Sequence, residues 1–167
     1  MKVGILSDSH GKSHRLAKAL AELTDRRAEI IVHCGDVSGV KGIEQLSCAG
    51  KAYMVAGNMD RHIENLAAAA EKWGIGYACE VIEIPLGNGK RLAATHGNDE
   101  QVLGQLISDQ RFDYVCHGHT HRRRDEKIGR TRVINPGALH HPRQPNWPSA
   151  AVLDTETDSL EWVDMDL

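Results

Sequence analysis

Seven side chains that can bind metal ions occur in five short segments, each of which contains or adjoins a glycine. The segments are Asp8-Ser9-His10, Gly35-Asp36, Gly57-Asn58-Met59-Asp60, His96-Gly97 and Gly118-His119-Thr120-His121. The seven donors within them are Asp8, His10, Asp36, Asn58, His96, His119 and His121. They offer oxygen and imidazole nitrogen but no thiolate, a set that suits Mn²⁺, Fe, Ni²⁺ or Zn²⁺ better than a structural cysteine-zinc site does.

The number and spacing of these donors favour two ions over one. Seven ligands exceed what a single tetrahedral ion takes, whereas two ions would each have four protein ligands if one carboxylate bridged them. Asp8 and His10 are separated by one residue, as are His119 and His121, so in extended chain each pair points to one side. The sequence therefore predicts a binuclear centre with ligand positions left open for water and substrate.

Each donor segment follows a predicted strand. Apolar runs and turn signals predict strands over 2–7, 29–34, 52–56, 80–86, 91–96, 113–117, 125–128, 131–134, 149–154 and 160–165, and helices over 14–26, 39–48, 61–73 and 99–110. In open α/β sheets, ligands bind outside the carboxyl ends of the strands. Five strand ends that carry Asp, Asn or His are therefore expected to meet at one edge of the fold.

Length and composition indicate a single globular domain over residues 1–167. The chain has 167 residues, 41% hydrophobic and 26% charged, with a net charge of −3, so no overall basic field is available to hold a nucleic acid. No apolar run reaches the roughly 20 residues of a membrane span. Asp8 interrupts the first apolar run before a secretory segment could form. These features predict a soluble, cytoplasmic protein that is not associated with a membrane.

The order of elements predicts the fold class. The N-terminal half is β-α-β-α-β and the C-terminal half is rich in strands, with Asn88-Gly89 as the turn signal of one hairpin. An α/β (α+β) chain with two mixed sheets, packed as a sandwich with helices on the outer faces, would bury the apolar residues of both halves.

The ordered series D-x-H, G-D, G-N-x-D, H-G and G-H-x-H resembles the calcineurin-like metallophosphoesterase superfamily, and within it the small single-domain bacterial and archaeal phosphodiesterases. The resemblance spans residues 1 to about 140 and includes Asn135-Pro136-Gly137. It implies a four-layer fold and a phosphodiesterase with two divalent ions, of which Mn²⁺ is the expected species.

The resemblance also implies a role for each donor. Asp8, His10 and His121 would hold the first ion, Asn58, His96 and His119 the second, and Asp36 would bridge them. A hydroxide shared by the two ions would attack phosphorus in line, with no protein nucleophile, so Asp36, Asn58 and His96 are the expected catalytic positions. The physical chemistry agrees, since a pair of divalent ions can activate water and clamp the attacking and leaving oxygens.

The sequence departs from the wider superfamily at two positions. Met59 stands where many members have a histidine thought to assist the leaving group, and methionine has no proton to donate. General acid assistance is typically worth about 10²–10⁴-fold, so esters with poor leaving groups should be poor substrates, which favours a diesterase. Asn98 stands where several relatives have a second histidine, a change expected to alter substrate contacts.

The remaining polar residues receive weaker assignments. Asp60 is expected to orient a ligand, and Asn98, Arg122 and Arg143 are candidate substrate contacts, although Arg122-Arg123-Arg124 also suits a solvated hairpin face. His33 and His117 are interpreted as core or ligand-supporting residues, and His14 and His62 as surface residues. His140 and His141 follow the Asn-Pro-Gly turn; a position at the mouth of the site is open to them, but they receive no assigned role. The cysteines, Cys34, Cys48, Cys79 and Cys116, are predicted to be small buried side chains.

Two further functions stay open. A phosphomonoesterase or nuclease could use the same ions, and a scaffold protein of the same fold could work through protein contacts, although scaffold members typically lose ligand histidines and this chain has lost none. The expected partner is a small phosphodiester or nucleotide-like substrate rather than a nucleic-acid polymer, because the aromatic residues needed for base stacking are scarce. A homo-oligomer is an alternative to a monomer.

Overall fold

Eleven strands and four helices form the structure, a computed structural model that describes residues 1–145 and 147–165. The strands are β1 (Lys2–Leu6), β2 (Ile30–His33), β3 (Lys51–Val55), β4 (Gly76–Ala78), β5 (Val81–Pro85), β6 (Arg91–Thr95), β7 (Tyr114–Cys116), β8 (Arg123–Ile128), β9 (Thr131–Pro136), β10 (Ser149–Asp154) and β11 (Ser159–Asp164). The helices are α1 (Ser13–Asp25), α2 (Val40–Ser47), α3 (Ile63–Lys72) and α4 (Glu100–Ser108). Residues 146, 166 and 167 of the predicted 1–167 domain lie outside the described residues.

Two mixed sheets carry the strands. The larger has the order β11-β10-β1-β2-β3-β4, with β1 to β4 parallel and β10 antiparallel to both of its neighbours. The smaller has the order β5-β6-β7-β9-β8, with β6, β7 and β9 parallel and an antiparallel strand at each edge. The parallel strands of each sheet therefore end at a common edge, which is where the donor segments emerge.

Three apolar clusters fill the spaces between four layers. Strand β1 shows how the alternation works: Leu6 packs toward the helices with residues of α1 to α3, whereas Val3 and Ile5 pack between the two sheets. A third cluster of Ala93, Phe112 and Val115 lies on the other face of the smaller sheet, against partly buried residues of α4. Strands buried on both faces read as continuous apolar runs, and this explains why their sequence lacks a polar alternation.

The predicted fold class is confirmed, and the ten predicted strands and four predicted helices are all present with ends shifted by a few residues. One strand was missed. β4 has only three residues, all half-buried, and pairs at the edge of the larger sheet, where Gly76 lies against the ring of Tyr53. The turn between β5 and β6 is a 3₁₀ turn over Gly87–Gly89 rather than a two-residue hairpin turn.

The prediction for the cysteines is half wrong. Cys34 and Cys116 are buried between the sheets, but Cys48 and Cys79 are exposed and all four thiols are free. Cys48 follows the end of α2 and Cys79 follows the short edge strand β4, positions where the chain has already left the core. Within the described residues, no helix is long and apolar enough to cross a membrane.

Candidate metal centre

All seven predicted donors follow the carboxyl ends of β1, β2, β3, β6 and β7 and lie close together in space. Asp8, Asp36 and His96 are almost fully buried, with exposed fractions of 0%, 2% and 1%. His10 and His121 are half-buried, and Asn58 and His119 are exposed at the rim. The site therefore has a buried carboxylate floor and an accessible imidazole and amide rim.

The first group of donors consists of Asp8, His10 and His121. Asp8 Oδ1 lies 3.2 Å from His121 Nε2 and 3.8 Å from His10 Nε2. The two imidazole nitrogens are 3.3 Å apart. Ligand atoms that surround one cation are expected to lie at this kind of mutual distance, since each sits about 2 Å from the ion.

The second group forms around Asn58. Its Oδ1 lies 3.0 Å from His96 Nε2 and 3.0 Å from His119 Nδ1. Asp36 lies between the groups, with Oδ2 placed 3.5 Å from His96 Nε2 and 3.7 Å from His10 Nε2. Asp8 also reaches both sides, since its carboxylate clusters with Asp36 and His96 as well as with His10 and His121.

Backbone carbonyls fix two of the imidazole rings. His96 Nδ1 donates to the carbonyl of Cys34 at 2.8 Å, and His121 Nδ1 donates to the carbonyl of His141 at 2.8 Å. Since a neutral imidazole carries one N–H, these bonds leave the Nε2 lone pair of each ring directed into the site. A hydrogen bond of this kind orients metal-binding histidines and raises their basicity.

Five of the donors adopt a left-handed backbone, with positive φ at Asp8, His10, Asp36, His119 and His121. Such φ values are uncommon for residues other than glycine and persist where the surrounding structure holds them. Here cross-loop hydrogen bonds do so: Asp8 N–H donates to the carbonyl of Gly35 at 3.0 Å, and His10 N–H donates to that of Asp36 at 2.9 Å. The loops after β1 and β2 are therefore fastened together.

Two glycines allow the donor loops to approach closely. A Cβ atom at Gly35 would lie 2.5 Å from His96 Nδ1, and Gly35 has a φ of +95°. A Cβ atom at Gly57 would overlap both the Asp36 carboxylate and its backbone nitrogen. A side chain at either position would push ligands apart, which explains the glycines beside Asp36 and Asn58.

Asp60 acts on the loops and not on a ligand side chain. Its Oδ2 accepts from Gly57 N–H at 2.9 Å and Val37 N–H at 3.3 Å, and its Oδ1 accepts from Ser38 N–H at 2.6 Å. The carboxylate is buried, with an exposed fraction of 5%. It thereby joins the loop of Asp36 to the loop of Asn58.

The electrostatics of the donors are those of a buried anionic site. Burial alone would raise the pKa of Asp36, but the His96 imidazole and the N–H of Met59 outweigh it and hold that pKa below its usual range. Burial likewise opposes protonation of His96, but Asp36 and the Cys34 carbonyl raise its pKa. Asp8 raises the pKa of His121. The carboxylates therefore favour positive charge at the positions that a cation would occupy.

Two buried histidines support the site from below. Ser9 Oγ lies 3.1 Å from His33 Nε2, and Asn135 Nδ2 donates to the carbonyl of Gly118 at 2.7 Å while lying 3.3 Å from His117 Nδ1. Burial lowers the pKa of His33 and of His117 to about 4, so both rings are neutral near pH 7. The placement of both as core or supporting residues is as expected, and His14 and His62 are exposed as expected.

A cationic cleft adjoins the first group of donors. It has a volume of about 460 Å³ and is lined by His10, Lys12, His121, His140, His141 and Arg143. His140 N–H donates to the carbonyl of Asp8 at 3.1 Å, and its ring centroid is 6.0 Å from that of His10. Burial and the neighbouring cations and histidines lower the pKa of His140 to about 4. His140 and His141, which received no role from the sequence, therefore lie at the mouth of the site.

An acidic pocket of about 170 Å³ lies on the other side of the centre, beside Asn58 and His96. Glu80, Asn98 and Asp99 are among its lining residues, so Asn98 is positioned near the second group of donors. Met59 is exposed at the rim.

The three consecutive arginines separate in space. Arg123 pairs with Asp164 and lies over the ring of Trp162, so it links β8 to β11 of the larger sheet, whereas Arg124 pairs with Glu126 of its own strand at 2.7 Å. Arg122 and Arg143 are exposed, and Arg143 is in the cationic cleft.

The donors present fit divalent metal ions. Asp8 Oδ1 is fully buried, yet no described residue offers it a hydrogen bond of acceptable geometry. A buried anionic oxygen without a donor is destabilising unless a cation satisfies it. Together with two imidazole lone pairs aimed at the same space, this oxygen identifies the cluster as a site built for cations.

Comparison with known proteins agrees with this geometry. Residues 1–158 match the model of the calcineurin-like phosphoesterase superfamily domain. The chain belongs to this superfamily. It is 32% identical over 173 residues to a phosphodiesterase of Methanocaldococcus jannaschii, with 93% of this chain and 94% of that protein covered. The resemblance deduced from the five segments is confirmed.

Solved structures of other proteins have the same fold. An archaeal phosphodiesterase superposes with a TM-score of 0.89 at 27% identity, covering 99% of this chain and 100% of that one. Vps29 of Entamoeba histolytica, solved with Zn²⁺, superposes with a TM-score of 0.68 at 20% identity, covering 98% and 99%. The second likeness concerns the fold alone. Membership of this superfamily supports a phosphoesterase activity and implies that the chain binds divalent metal ions.

Proposed function

We propose that this protein is a phosphodiesterase that uses two divalent ions, for which Mn²⁺ is the proposed species. Its proposed substrate is a small phosphodiester or nucleotide-like molecule in the cytoplasm. The observation that carries the proposal is the convergence of seven oxygen and imidazole donors from five strand ends, with Asp36 between the two groups. Asp8, His10 and His121 would hold one ion, Asn58, His96 and His119 the other, and Asp36 would bridge them.

When bound, a pair of divalent ions lowers the pKa of coordinated water and stabilises the negative charge that develops on a phosphoryl group. The chain's own contribution is to place the donors. The carbonyls of Cys34 and His141 hold the rings of His96 and His121 with Nε2 facing inward. Asp60 holds the loops of Asp36 and Asn58 at a fixed separation.

The proposal favours diesters over monoesters because of Met59. This side chain lies at the rim with 47% of its surface exposed, next to the donor Asn58. It can neither donate a proton to a leaving oxygen nor hydrogen-bond the second negative charge of a monoester. A phosphomonoesterase or a nuclease with the same ions is the alternative, and a polymeric substrate is disfavoured by the net charge of −3.

The test is hydrolysis of bis(p-nitrophenyl) phosphate by the full chain with added Mn²⁺, alongside calorimetric titration of the metal. We expect turnover that a chelator abolishes, and two ions per chain. His121→Ala should lose one ion and most of the activity, while His14→Ala removes an exposed histidine of α1 and should behave as wild type. Folded protein that binds no divalent ion and cleaves no ester would overturn the proposal.

A further inference from the structure

We propose that the cationic cleft binds a second phosphate group of the substrate, so that the preferred diester carries an additional phosphate beside the one that is cleaved. This inference rests on the proposed function, since it assigns a substrate class to the same centre. Three observations support it. The residues that line the cleft are basic, their lysine and arginine cations form no ion pairs among the described residues, and hydrogen bonds join the cleft to the donor loops.

The lining is basic. Lys12 and Arg143 project their charges into a space that His10 and His121 share with the metal centre. No carboxylate is among the described residues that line this space. Arg15 lies behind it, where its Nη1 donates to the carbonyl of Leu139 at 2.9 Å and approaches His140 Nδ1 to 3.4 Å.

These cations lack the acidic partners that most other arginines of the described residues have. Arg26, Arg91, Arg111, Arg124 and Arg132 each pair with a carboxylate at 2.9 Å or less. Within residues 1–145 and 147–165, no ion pair involves Lys12, Arg15 or Arg143. Basic side chains gathered in a concave space without acids favour an anion, and the planar fork of arginine suits phosphate oxygens.

Hydrogen bonds fix the position of the cleft relative to the metal centre. Arg143 N–H donates to the carbonyl of His121 at 3.0 Å, while His121 Nδ1 donates back to the carbonyl of His141. His140 N–H donates to the carbonyl of Asp8. The segment 140–143 is therefore fixed against two donor loops, so that a substrate group in the cleft would be held at a set position relative to the ions. Preorganisation of this kind reduces the entropy lost on binding.

The opposite side of the centre has the reverse character. The acidic pocket beside Asn58 and His96 is lined by Glu80 and Asp99. The carboxylates would repel a phosphate placed there, but they would not repel a neutral or apolar leaving group. The substrate is thereby oriented, with its additional phosphate toward Arg143 and its leaving group toward Asn58.

The experiment compares two esters with the same leaving group in the Mn²⁺-loaded full chain. They are thymidine 5′-(p-nitrophenyl phosphate) with and without a 3′-phosphate. We expect the 3′-phosphorylated ester to have the higher kcat/KM, and Lys12→Gln and Arg143→Gln each to reduce this preference by about five- to tenfold, as the loss of one charge-assisted contact does. Lys51→Gln removes an exposed charge at the amino end of β3 and should keep the wild-type preference.

A second measurement separates this inference from the proposed function. Thymidine 3′,5′-bisphosphate and thymidine 5′-monophosphate are titrated calorimetrically into the full chain in metal-free buffer. We expect the bisphosphate to bind more tightly, and the double variant Lys12→Gln/Arg143→Gln to remove that difference. Equal affinity for the two nucleotides together with equal kcat/KM for the two esters would overturn the cleft assignment while leaving the phosphodiesterase standing. Absence of all turnover, with the difference in affinity retained, would overturn the proposed function alone.

Discussion

Replacement of Asp60 tests whether the donor loops are held in place by one carboxylate. Asp60→Ala removes the acceptor of three backbone N–H groups, at 2.6, 2.9 and 3.3 Å. Hydrogen bonds to an ionised group contribute about 1.5–3 kcal/mol each, but the variant also removes a charge that is unfavourable to bury. We expect the free energy of unfolding to fall by about 3 kcal/mol, because the loss of three such bonds outweighs the relief from burying the charge.

The same variant should weaken metal binding, because the loops of Asp36 and Asn58 are no longer joined. Loss of a residue that orients ligands typically lowers metal affinity by about 10–100-fold. Asp60→Asn is the matched variant: its carbonyl oxygen, placed where Oδ2 lies, keeps the bonds from Gly57 and Val37 and loses only that from Ser38. It should therefore have an intermediate stability.

The assays are urea unfolding of the metal-free chain and calorimetric titration with Mn²⁺. Asp113→Ala is the control, since Asp113 accepts one backbone N–H from Arg91 at 2.9 Å at the amino end of β7, away from the donors. It should lose about 1 kcal/mol of stability and keep wild-type metal affinity. If Asp60→Ala lost less than about 1 kcal/mol and bound Mn²⁺ as tightly as wild type, the role given to Asp60 would be refuted.

Four further outcomes follow from single positions. Met59→His should raise the ratio of monoester to diester turnover by at least about tenfold on matched aryl esters, because it supplies a proton donor at the rim; an unchanged ratio would remove Met59 from the explanation of specificity. Gly57→Ala should lower the free energy of unfolding by about 1–3 kcal/mol and weaken Mn²⁺ binding, since its methyl group overlaps the Asp36 carboxylate. Gly104→Ala, in the interior of α4 with no atom within 4 Å of the new methyl, should instead stabilise by about 0.5–1 kcal/mol, and a loss of stability there would contradict the helix assignment. Burial lowers the pKa of His33 to about 4, so between pH 6.5 and 4 the unfolded chain binds a proton at His33 that the folded chain excludes. We therefore expect His33 to account for about 2 kcal/mol of the stability lost between pH 7 and 5. Urea unfolding of His33→Gln should accordingly depend less steeply on pH than that of the wild type.

The donor segments were predictable because their signal is local. A polar residue beside a glycine, directly after an apolar run, marks the end of a strand, and parallel strands end at a common edge. His96 and His119 could thus be placed together although no sequence pattern joins them. The fold class followed from the same runs, since strands and helices of this length and periodicity have few packing solutions.

The parts that were missed lack such a signal. β4 has three half-buried residues whose pairing with β3 depends on the tertiary position of α3. Arg143 was a candidate substrate contact, but the location of His140 beside the centre depends on a backbone hydrogen bond to Asp8, which comes from far earlier in the chain. The left-handed backbone at the donors is likewise set by bonds between loops, so it has no counterpart in local propensity.

The strand order ties the two ends of the chain to each other. β1 is paired with β10 along Lys2↔Asp154 to Ile5↔Ala151, while β2 flanks it on the other side. During synthesis on the ribosome, β1 therefore has one neighbouring strand at most until residues 149–154 have been made, and contacts of such high sequence separation form slowly. A nascent chain that stops before Ser149 presents β1 as a bare edge strand, a template for intermolecular pairing. The hairpin of β10 and β11 therefore covers this edge and completes the larger sheet around β1, the strand that leads into the first donor loop.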